Sequence, residues 1–173
     1  MKKVFITTLF ACFAMLLANT SSYAQQSTKN RLGFFLGLAS GDIDQVGIGG
    51  IGEFKVSKKV TISPQLLFYF PEDRGNLRYN FMEINFNANY YFYNKDIFEF
   101  YGLGGLNFTR VHWEWDHAGP NDDDGDSDLE VGLNLGGGIN FEIGKNVVPF
   151  SELRVTVGEF DQFVISGGLK FNL

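Results

Sequence analysis

Every second residue of segment 129–143, LEVGLNLGGGINFEI, belongs to one of two chemically different series. The first series starts at Leu129 and is apolar apart from one glycine. The second starts at Glu130 and holds only glycine, asparagine and glutamate. Because side chains alternate between two faces along a β-strand, this segment predicts one long strand with an apolar face and a polar face.

The same alternation recurs in seven further segments, whereas no segment after the N-terminal region shows sustained helical periodicity. The apolar faces include Leu32, Phe34, Leu36 and Leu38; Phe54 and Val56; Val60, Ile62, Leu66 and Phe68; Met82, Ile84, Phe86 and Tyr90; Phe98 and Phe100; Leu153, Val155 and Val157; and Phe163, Ile165, Leu169 and Phe171. In the fifth segment, Tyr101 and Leu103 compete for the apolar face, which predicts a β-bulge near the glycines. The sequence therefore predicts eight strands.

The composition of the polar faces indicates which face points inward. A soluble ligand-binding barrel would bury the apolar face, whereas a membrane barrel exposes it to lipid. Glycine on the outside of a strand weakens the strand, whereas a narrow barrel interior needs small residues. The glycine-rich polar faces therefore predict an all-β fold, an eight-stranded antiparallel up-and-down transmembrane β-barrel. A soluble lipocalin-like carrier is the alternative.

The connections between the predicted strands fall into two classes. Three are tight turns, SKK, NKD and GKN, and carry Lys58, Lys59, Lys95 and Lys145. The others, such as PEDRGN and DHAGPNDDDGDSD, are longer or more acidic. Because alternate connections of a meander share one end, one rim should be short and basic and the other long and acidic. Short turns at one end and long loops at the other are typical of transmembrane barrels, with the short turns and both termini in the periplasm.

The first residues match an export signal. Lys2 and Lys3 precede an apolar run over 4–18, and Ser22 and Ala24 are small residues with signal-peptidase spacing. We expect cleavage after Ala24, so that 1–24 is a signal peptide and 25–173 is the barrel domain. A retained membrane anchor is the alternative, but the apolar run is short for a spanning helix.

The composition of the exported chain excludes several functions. Cleavage would leave 149 of the 173 residues and remove Cys12, the one cysteine, so the mature chain would have no disulfide and no thiolate site. Of the 14 Lys and Arg residues, 12 would remain against 20 Asp and Glu, a net charge of −8. That charge argues against nucleic acid as a partner.

Three segments, FEFYGLGGLNF, PFSELRVTVG and the closing GGLKFNL, give the chain a specific resemblance. It resembles the small eight-stranded outer-membrane β-barrel family of Gram-negative bacteria, called porin-like or OmpA/OmpX-like. The last segment is similar to the terminal strand that targets such barrels for assembly. That strand usually ends on an aromatic residue, whereas here Phe171 lies two residues before the final Leu173.

The resemblance implies a location and a class of function. It implies a monomer in the cell outer membrane, surrounded by membrane lipid and lipopolysaccharide and inserted by the outer-membrane assembly machinery. It favours a non-catalytic structural or surface-interaction role, with a narrow passive porin-like channel as the alternative.

The polar faces also predict a charged interior. Glu53, Lys55, Glu83, Glu152 and Arg154 should all face the lumen, together with Tyr69 and Tyr91. Eight strands leave an interior about wide enough for side chains to fill. We therefore predict a lumen charge network that plugs the barrel.

Residues with catalytic chemistry are present, but their arrangement argues against an enzyme. The candidates are His112 and His117, with Ser127 or Ser151 as nucleophile and Glu114 or Asp116 as orienting acid. No G-x-S-x-G element occurs, and the two histidines lie at the edge of the longest loop. We therefore expect no catalytic residues and no cofactor.

The segment 121–128, NDDDGDSD, is the one candidate for binding a metal. Asp122, Asp124, Asp126 and Asp128 could offer oxygen ligands to Ca²⁺. An EF-hand alignment fails, because Val131 takes the place of the bidentate glutamate. A solvated acidic loop is therefore the preferred interpretation, and a weak calcium site is the alternative.

Overall fold

In a computed structural model, the described residues are 29–74, 77–115, 126–159 and 161–173. The predicted signal peptide and its cleavage site lie outside these ranges. Nine strands are formed by the described residues: β1 Arg31–Gly41, β2 Val46–Lys55, β3 Val60–Tyr69, β4 Glu72–Arg74, β5 Leu77–Lys95, β6 Phe98–Trp115, β7 Asp126–Phe141, β8 Val147–Gly158 and β9 Gln162–Asn172. None of the described residues forms a helix long and apolar enough to cross a membrane.

Eight of these strands close into an antiparallel barrel. Each pairs with its neighbours in sequence order, and β1 pairs with β9 from Arg31–Asn172 to Gly41–Gln162. The short β4 lies outside this ring and pairs with β5, while β3 pairs directly with β5. The predicted fold class is confirmed. Closure matters because every strand then has a partner on both sides, as a spanning sheet requires.

The predicted β-bulge is at the wrong place. In β6, Glu99, Tyr101 and Leu103 all point inward without interruption. The register instead shifts in β5, between Tyr91 and Tyr93. Tyr101 does not compete for the apolar face, because its hydroxyl donates to Glu152 inside the barrel. The alternation of β6 is therefore continuous.

The apolar face of every barrel strand points outward. Leu36, Leu133 and Val155, on three different strands, leave 56%, 63% and 43% of their surface exposed. The residues directly before and after each of them are buried. This arrangement is the reverse of a soluble carrier, which would keep such side chains inside. The alternative of a lipocalin-like carrier is therefore not supported.

The interior is polar along one side and partly apolar along the other. An apolar cluster joins residues of β1, β2, β3, β8 and β9, and consists of Phe35, Ala39, Ile43, Ile51, Leu67, Tyr69, Phe150 and Val164. The walls of β5, β6 and β7 instead present buried asparagines, threonine and glutamates. The lumen is therefore filled by packed side chains of two kinds.

The two ends of the barrel differ in their connections. We call the end with segments 56–59, 96–97 and 142–146 the turn rim, and the opposite end, where β6 ends at Trp115 and β7 begins at Asp126, the loop rim. At the loop rim, Ile43 folds into the barrel and is 1% exposed. Its loop is tied to the last loop, because Asp161 N donates to Asp42 Oδ2 over 2.8 Å and Asp42 N donates to Asp161 O over 3.1 Å.

Candidate functional site

The lumen contains two charge networks, and the first lies near the turn rim around Glu53. Lys170 Nζ donates to Glu53 Oε2 over 2.8 Å, and Arg31 Nη1 donates to Glu53 Oε1 over 3.4 Å. The Tyr91 hydroxyl donates to the same carboxylate. Glu53 and Lys170 are fully buried. One carboxylate on β2 thus meets cations from both β1 and β9.

Arg31 extends this turn-rim network to two more carboxylates. Its Nη2 lies 2.8 Å from Glu99 Oε2 and 2.5 Å from Glu142 Oε1. Glu142 also pairs with Lys29, which is half-buried at the rim. Asn140 Nδ2 donates to Glu99 Oε2 over 3.1 Å. The guanidinium of Arg31 therefore occupies the lumen at the turn rim, where it contacts carboxylates of β2, of β6 and of the turn after β7.

The second network, in the centre of the barrel, is built around Glu83. Arg154 Nη2 lies 2.6 Å from Glu83 Oε2. The Tyr69 hydroxyl and Gln162 Nε2 both donate to Glu83 Oε1, over 2.7 Å and 2.5 Å. Asn85 Nδ2 donates to the other oxygen over 3.2 Å. Both oxygens of this buried carboxylate are thus satisfied, as a buried charge requires.

Glu152 belongs to the same central network but is held by neutral donors. Gln65 Nε2 donates to its Oε1 and the Tyr101 hydroxyl to its Oε2, each over 3.0 Å. Gln65 Oε1 in turn accepts from Arg154 Nη1 over 3.4 Å. Gln65 therefore links the second carboxylate to the cation that neutralises the first.

Tyr101 connects the two networks. Its ring packs against that of Tyr91, with 5.2 Å between centroids, and Lys170 Nζ lies 5.0 Å from its centroid. A cation over an aromatic face is attracted by the ring quadrupole. A single side chain therefore contacts both the Lys170 cation and the Glu152 carboxylate.

A ladder of amides and hydroxyls lines the wall from β5 to β8. Asn134 Nδ2 donates to Asn85 Oδ1 and Asn87 Oδ1 over 2.8 Å and 2.9 Å, and Thr156 Oγ1 donates to Asn134 Oδ1 over 2.8 Å. Next to this ladder, Thr61 Oγ1 and both side-chain polar atoms of Asn89 are buried without a partner among the described residues. Polarity therefore continues along the wall beyond the ion pairs.

The residues predicted for the charge network lie at two kinds of position. Glu53, Glu83, Glu152 and Arg154 are buried in the lumen. Lys55 is not, and its prediction is corrected: it is exposed at the end of β2. Two residues beyond Glu53, the strand has reached the rim, so alternation no longer places a side chain inside the barrel.

Sequence analysis missed three charged residues of the lumen, Arg31, Glu99 and Lys170. Extending the alternation of β1 by one residue before Leu32 would have placed Arg31 inside. Glu99 lies between two outward phenylalanines, Phe98 and Phe100, so the same rule identifies it. Lys170 follows from the same rule, because it lies between Leu169 and Phe171 of the predicted apolar face. Alternation does not reveal that its partner is Glu53, 117 residues away.

The other predicted sites lie at or beyond the limits of the described residues. Asp122 and Asp124 fall outside them, Asp126 starts β7, and Asp128 is exposed near the loop rim. His117 is also outside, while His112 belongs to β6. Within the described ranges, no three His, Cys, Asp or Glu side chains are grouped so that they could hold a metal ion.

Comparison with solved structures identifies the fold. The N-terminal β-barrel domain of Pseudomonas aeruginosa OprF superposes with a TM-score of 0.62 at 16% identity, covering 84% of this chain and 98% of that one. Neisserial surface protein A gives 0.63 at 13%, covering 83% and 96%. Ail, the attachment invasion locus protein of Yersinia pestis, gives 0.57 at 14%, covering 83% and 95%. The architecture is that of the eight-stranded outer-membrane barrels.

The sequence itself is distant from characterised proteins. No family model matches it, and no curated protein matches it. The sequence identities are only 13% to 16%, although the superpositions cover 95% to 98% of the three solved chains. What the proteins share is therefore the barrel architecture. The role of the chain has to be argued from its own surface and lumen.

Proposed function

We propose that the chain is a non-catalytic protein of the cell outer membrane, with a structural or surface-interaction role. The observation that carries this proposal is the combination of an outward apolar wall with a lumen filled by two side-chain networks. Such a wall fits lipid, and in the described part of the chain the lumen is crossed by the ion pairs of Arg31, Arg154 and Lys170. The loops at the loop rim are then the surface available to partners.

The partners follow from the same architecture. Membrane lipid, with lipopolysaccharide in the outer leaflet, would surround the wall, and the closing strand β9 would be the segment recognised by the assembly machinery. The sequence of β9 supports this, because Phe163, Ile165 and Phe171 all face outward. Closure of the ring within one chain supports a monomer.

A narrow passive channel is the second candidate. The observation that favours it is the set of buried polar atoms without partners on β3 and β5, at Thr61, Asn87 and Asn89. Polar groups of this kind suit water. Against it stand the Arg31 and Arg154 contacts, which join opposite walls of the lumen.

Conductance of the purified barrel in a planar lipid bilayer separates the two candidates. The structural role predicts insertion into lipid with no large, stable conductance steps, because side chains occupy the lumen. Stable steps from the unmodified protein would support the channel instead. Folding is checked independently by the different electrophoretic mobility of heated and unheated protein. A chain that stays in solution without detergent after refolding would contradict both candidates.

A further inference from the structure

We propose that the turn rim binds the headgroups of anionic phospholipids. This inference rests on the proposed location in the membrane, and it names the class of lipid that one end of the barrel selects. It is carried by two features of the described residues, a set of lysines without carboxylate partners and a band of outward aromatic rings beside them.

Lysine occurs in or directly before each of the three turns that form the turn rim. Lys58 and Lys59 lie between β2 and β3, Lys95 lies at the end of β5, and Lys145 lies between β7 and β8. We call these four the turn-rim lysines. Lys59 is half-buried and the other three are exposed.

The positive charges of the turn-rim lysines are not neutralised by carboxylates of the described residues. Within the ranges that the structure describes, no carboxylate forms an ion pair with any of them. Lys29 and Lys170 differ in this respect, because Glu142 and Glu53 respectively neutralise them. Since the three turns lie at separate positions around the ring, the lysines form an annulus of positive charge instead of one patch.

Aromatic rings cover the wall next to these lysines on β2, β5, β6, β7 and β9. The members of this aromatic band are Phe54, Phe92, Tyr93, Phe98, Phe100, Phe141 and Phe171, which face outward. Neighbouring rings are in contact: the Tyr93 and Phe100 centroids are 5.6 Å apart, and those of Phe98 and Phe141 are 5.8 Å apart. Girdles of aromatic residues mark the membrane interface of transmembrane barrels.

The spacing of the two features places the lysines at headgroup depth. Lys95 follows Tyr93 by two residues, which corresponds to roughly 7 Å along a strand. If the aromatic band lies at the edge of the hydrocarbon, the ammonium groups lie among the lipid phosphates. Lysine and arginine next to an anionic lipid surface are attracted to it.

The charge at the opposite end makes this selection specific to one rim. The described residues of the loop rim include the acidic side chains Asp42, Asp44, Asp128, Glu130, Glu159 and Asp161. These carboxylates repel anionic headgroups, whereas the turn-rim lysines attract them. Zwitterionic lipids carry a cation beside each phosphate, so the lysines should prefer phosphatidylglycerol to phosphatidylcholine.

Electron paramagnetic resonance of spin-labelled lipids tests the proposal. The full mature chain is refolded into phosphatidylcholine vesicles that contain trace spin-labelled phosphatidylglycerol or phosphatidylcholine. The fraction of each label that the barrel immobilises is then measured. We expect phosphatidylglycerol to be enriched roughly two- to fivefold at low salt. In about 1 M salt, where the Debye length is about 3 Å, the preference should fall towards unity.

Two matched variants locate the preference. The variant Lys58→Gln, Lys59→Gln, Lys95→Gln and Lys145→Gln should lose it. The control Asp44→Asn, Asp128→Asn, Glu130→Gln and Glu159→Gln also neutralises four side chains, but at the loop rim, and should keep it. Because the label enters both leaflets, the orientation of the inserted barrel does not affect the comparison.

Three outcomes overturn the proposal. Equal immobilisation of the two labels by the unmodified chain would show that the turn-rim lysines do not select anionic phospholipid. Retention of the preference in the lysine variant would place its source elsewhere. Loss of the preference in the loop-rim control would show that the turn-rim lysines are not sufficient for it. An absence of any immobilised lipid, by contrast, would contradict the membrane location itself.

Discussion

Arg154 and Glu83 form a buried ion pair across the lumen, with 2.6 Å between Nη2 and Oε2. Only 3% and 0% of their side chains are exposed. They belong to β8 and β5, which are not neighbours in the sheet, so the pair joins two separate parts of the wall. Glu83 is also the acceptor for Tyr69, Asn85 and Gln162.

The first prediction follows from this burial. The change Arg154→Met leaves Glu83 as an uncompensated buried charge, and should lower the free energy of unfolding by about 3–5 kcal/mol. Urea titration in lipid vesicles, followed by the fluorescence of the two tryptophans, measures the loss. In vesicles of phosphatidylcholine alone, which offer the turn-rim lysines no anionic lipid, the control Lys95→Met removes an exposed cation and should change stability by less than about 0.5 kcal/mol.

A double variant separates the charge from the packing of Arg154. Adding Glu83→Gln to Arg154→Met removes the stranded carboxylate, so the double variant should be more stable than Arg154→Met alone. If the double variant were the less stable of the two, the burial of an unpaired charge could not be the cause of the loss.

The second prediction compares two buried threonines in different settings. Thr156 Oγ1 donates to Asn134 Oδ1 over 2.8 Å, whereas Thr61 Oγ1 has no partner among the described residues. Thr156→Val should therefore lower the free energy of unfolding by about 1–3 kcal/mol, because it leaves a buried acceptor with one donor fewer. Thr61→Val should be neutral or slightly stabilising, because it removes a buried hydroxyl that has no bond to lose.

The same titration ranks the two threonine variants. Both changes replace a hydroxyl with a methyl group at a buried position on the lumen wall, so differences in volume and strand propensity cancel to first order. An equal loss for the two variants would show that the Thr61 hydroxyl is hydrogen-bonded in the folded protein.

Period-two alternation in the sequence was enough to predict the wall of the barrel, but not the pairing inside it. In β7, for example, Leu133 and Leu135 are exposed on the outer face, while Asn134 and Asn140 are buried on the inner face. Alternation predicts both faces because it is a local property of the strand. The partner of Arg154 is not local. Its cross-strand neighbours are Gly136 and Val164, while Glu83 lies across the lumen.

Contacts across the lumen depend on how far the strands are staggered around the ring. That stagger is set by the registers of all eight strand pairs together, so it cannot be read from the alternation of apolar and polar residues within single strands. The pair of Lys170 and Glu53 shows the same effect, because β1 lies between their strands. Faces are therefore predictable from sequence, whereas ion-pair partners are not.

The third prediction concerns the close packing of Tyr101. A Cβ atom added at Gly138 would fall on the Tyr101 ring and would approach Ser151 O to 2.8 Å. Gly138→Ala should therefore displace Tyr101 from Glu152 and destabilise the barrel by about 1–3 kcal/mol. At Gly104, on the outer wall, the nearest atom would be Asn134 O at 3.8 Å, so Gly104→Ala should be tolerated. Equal losses would show that strand glycine itself, and not the space beside Tyr101, is the requirement.

The last prediction concerns the orientation of the barrel in the cell. Short turns of transmembrane barrels face the periplasm and long loops face outward, so the turn rim should be inside and the loop rim outside. In intact cells, a protease specific for aspartate should cut within 116–125. Trypsin should leave Lys58 and Lys145 uncut in intact cells and should cut at both after the outer membrane is permeabilised. The digestion of permeabilised cells is also the control that both turns are cleavable. Mass spectrometry of the fragments identifies each cut. Cleavage at Lys58 in intact cells, with 116–125 protected, would mean that the lysines face outward and that the barrel is inserted the other way round.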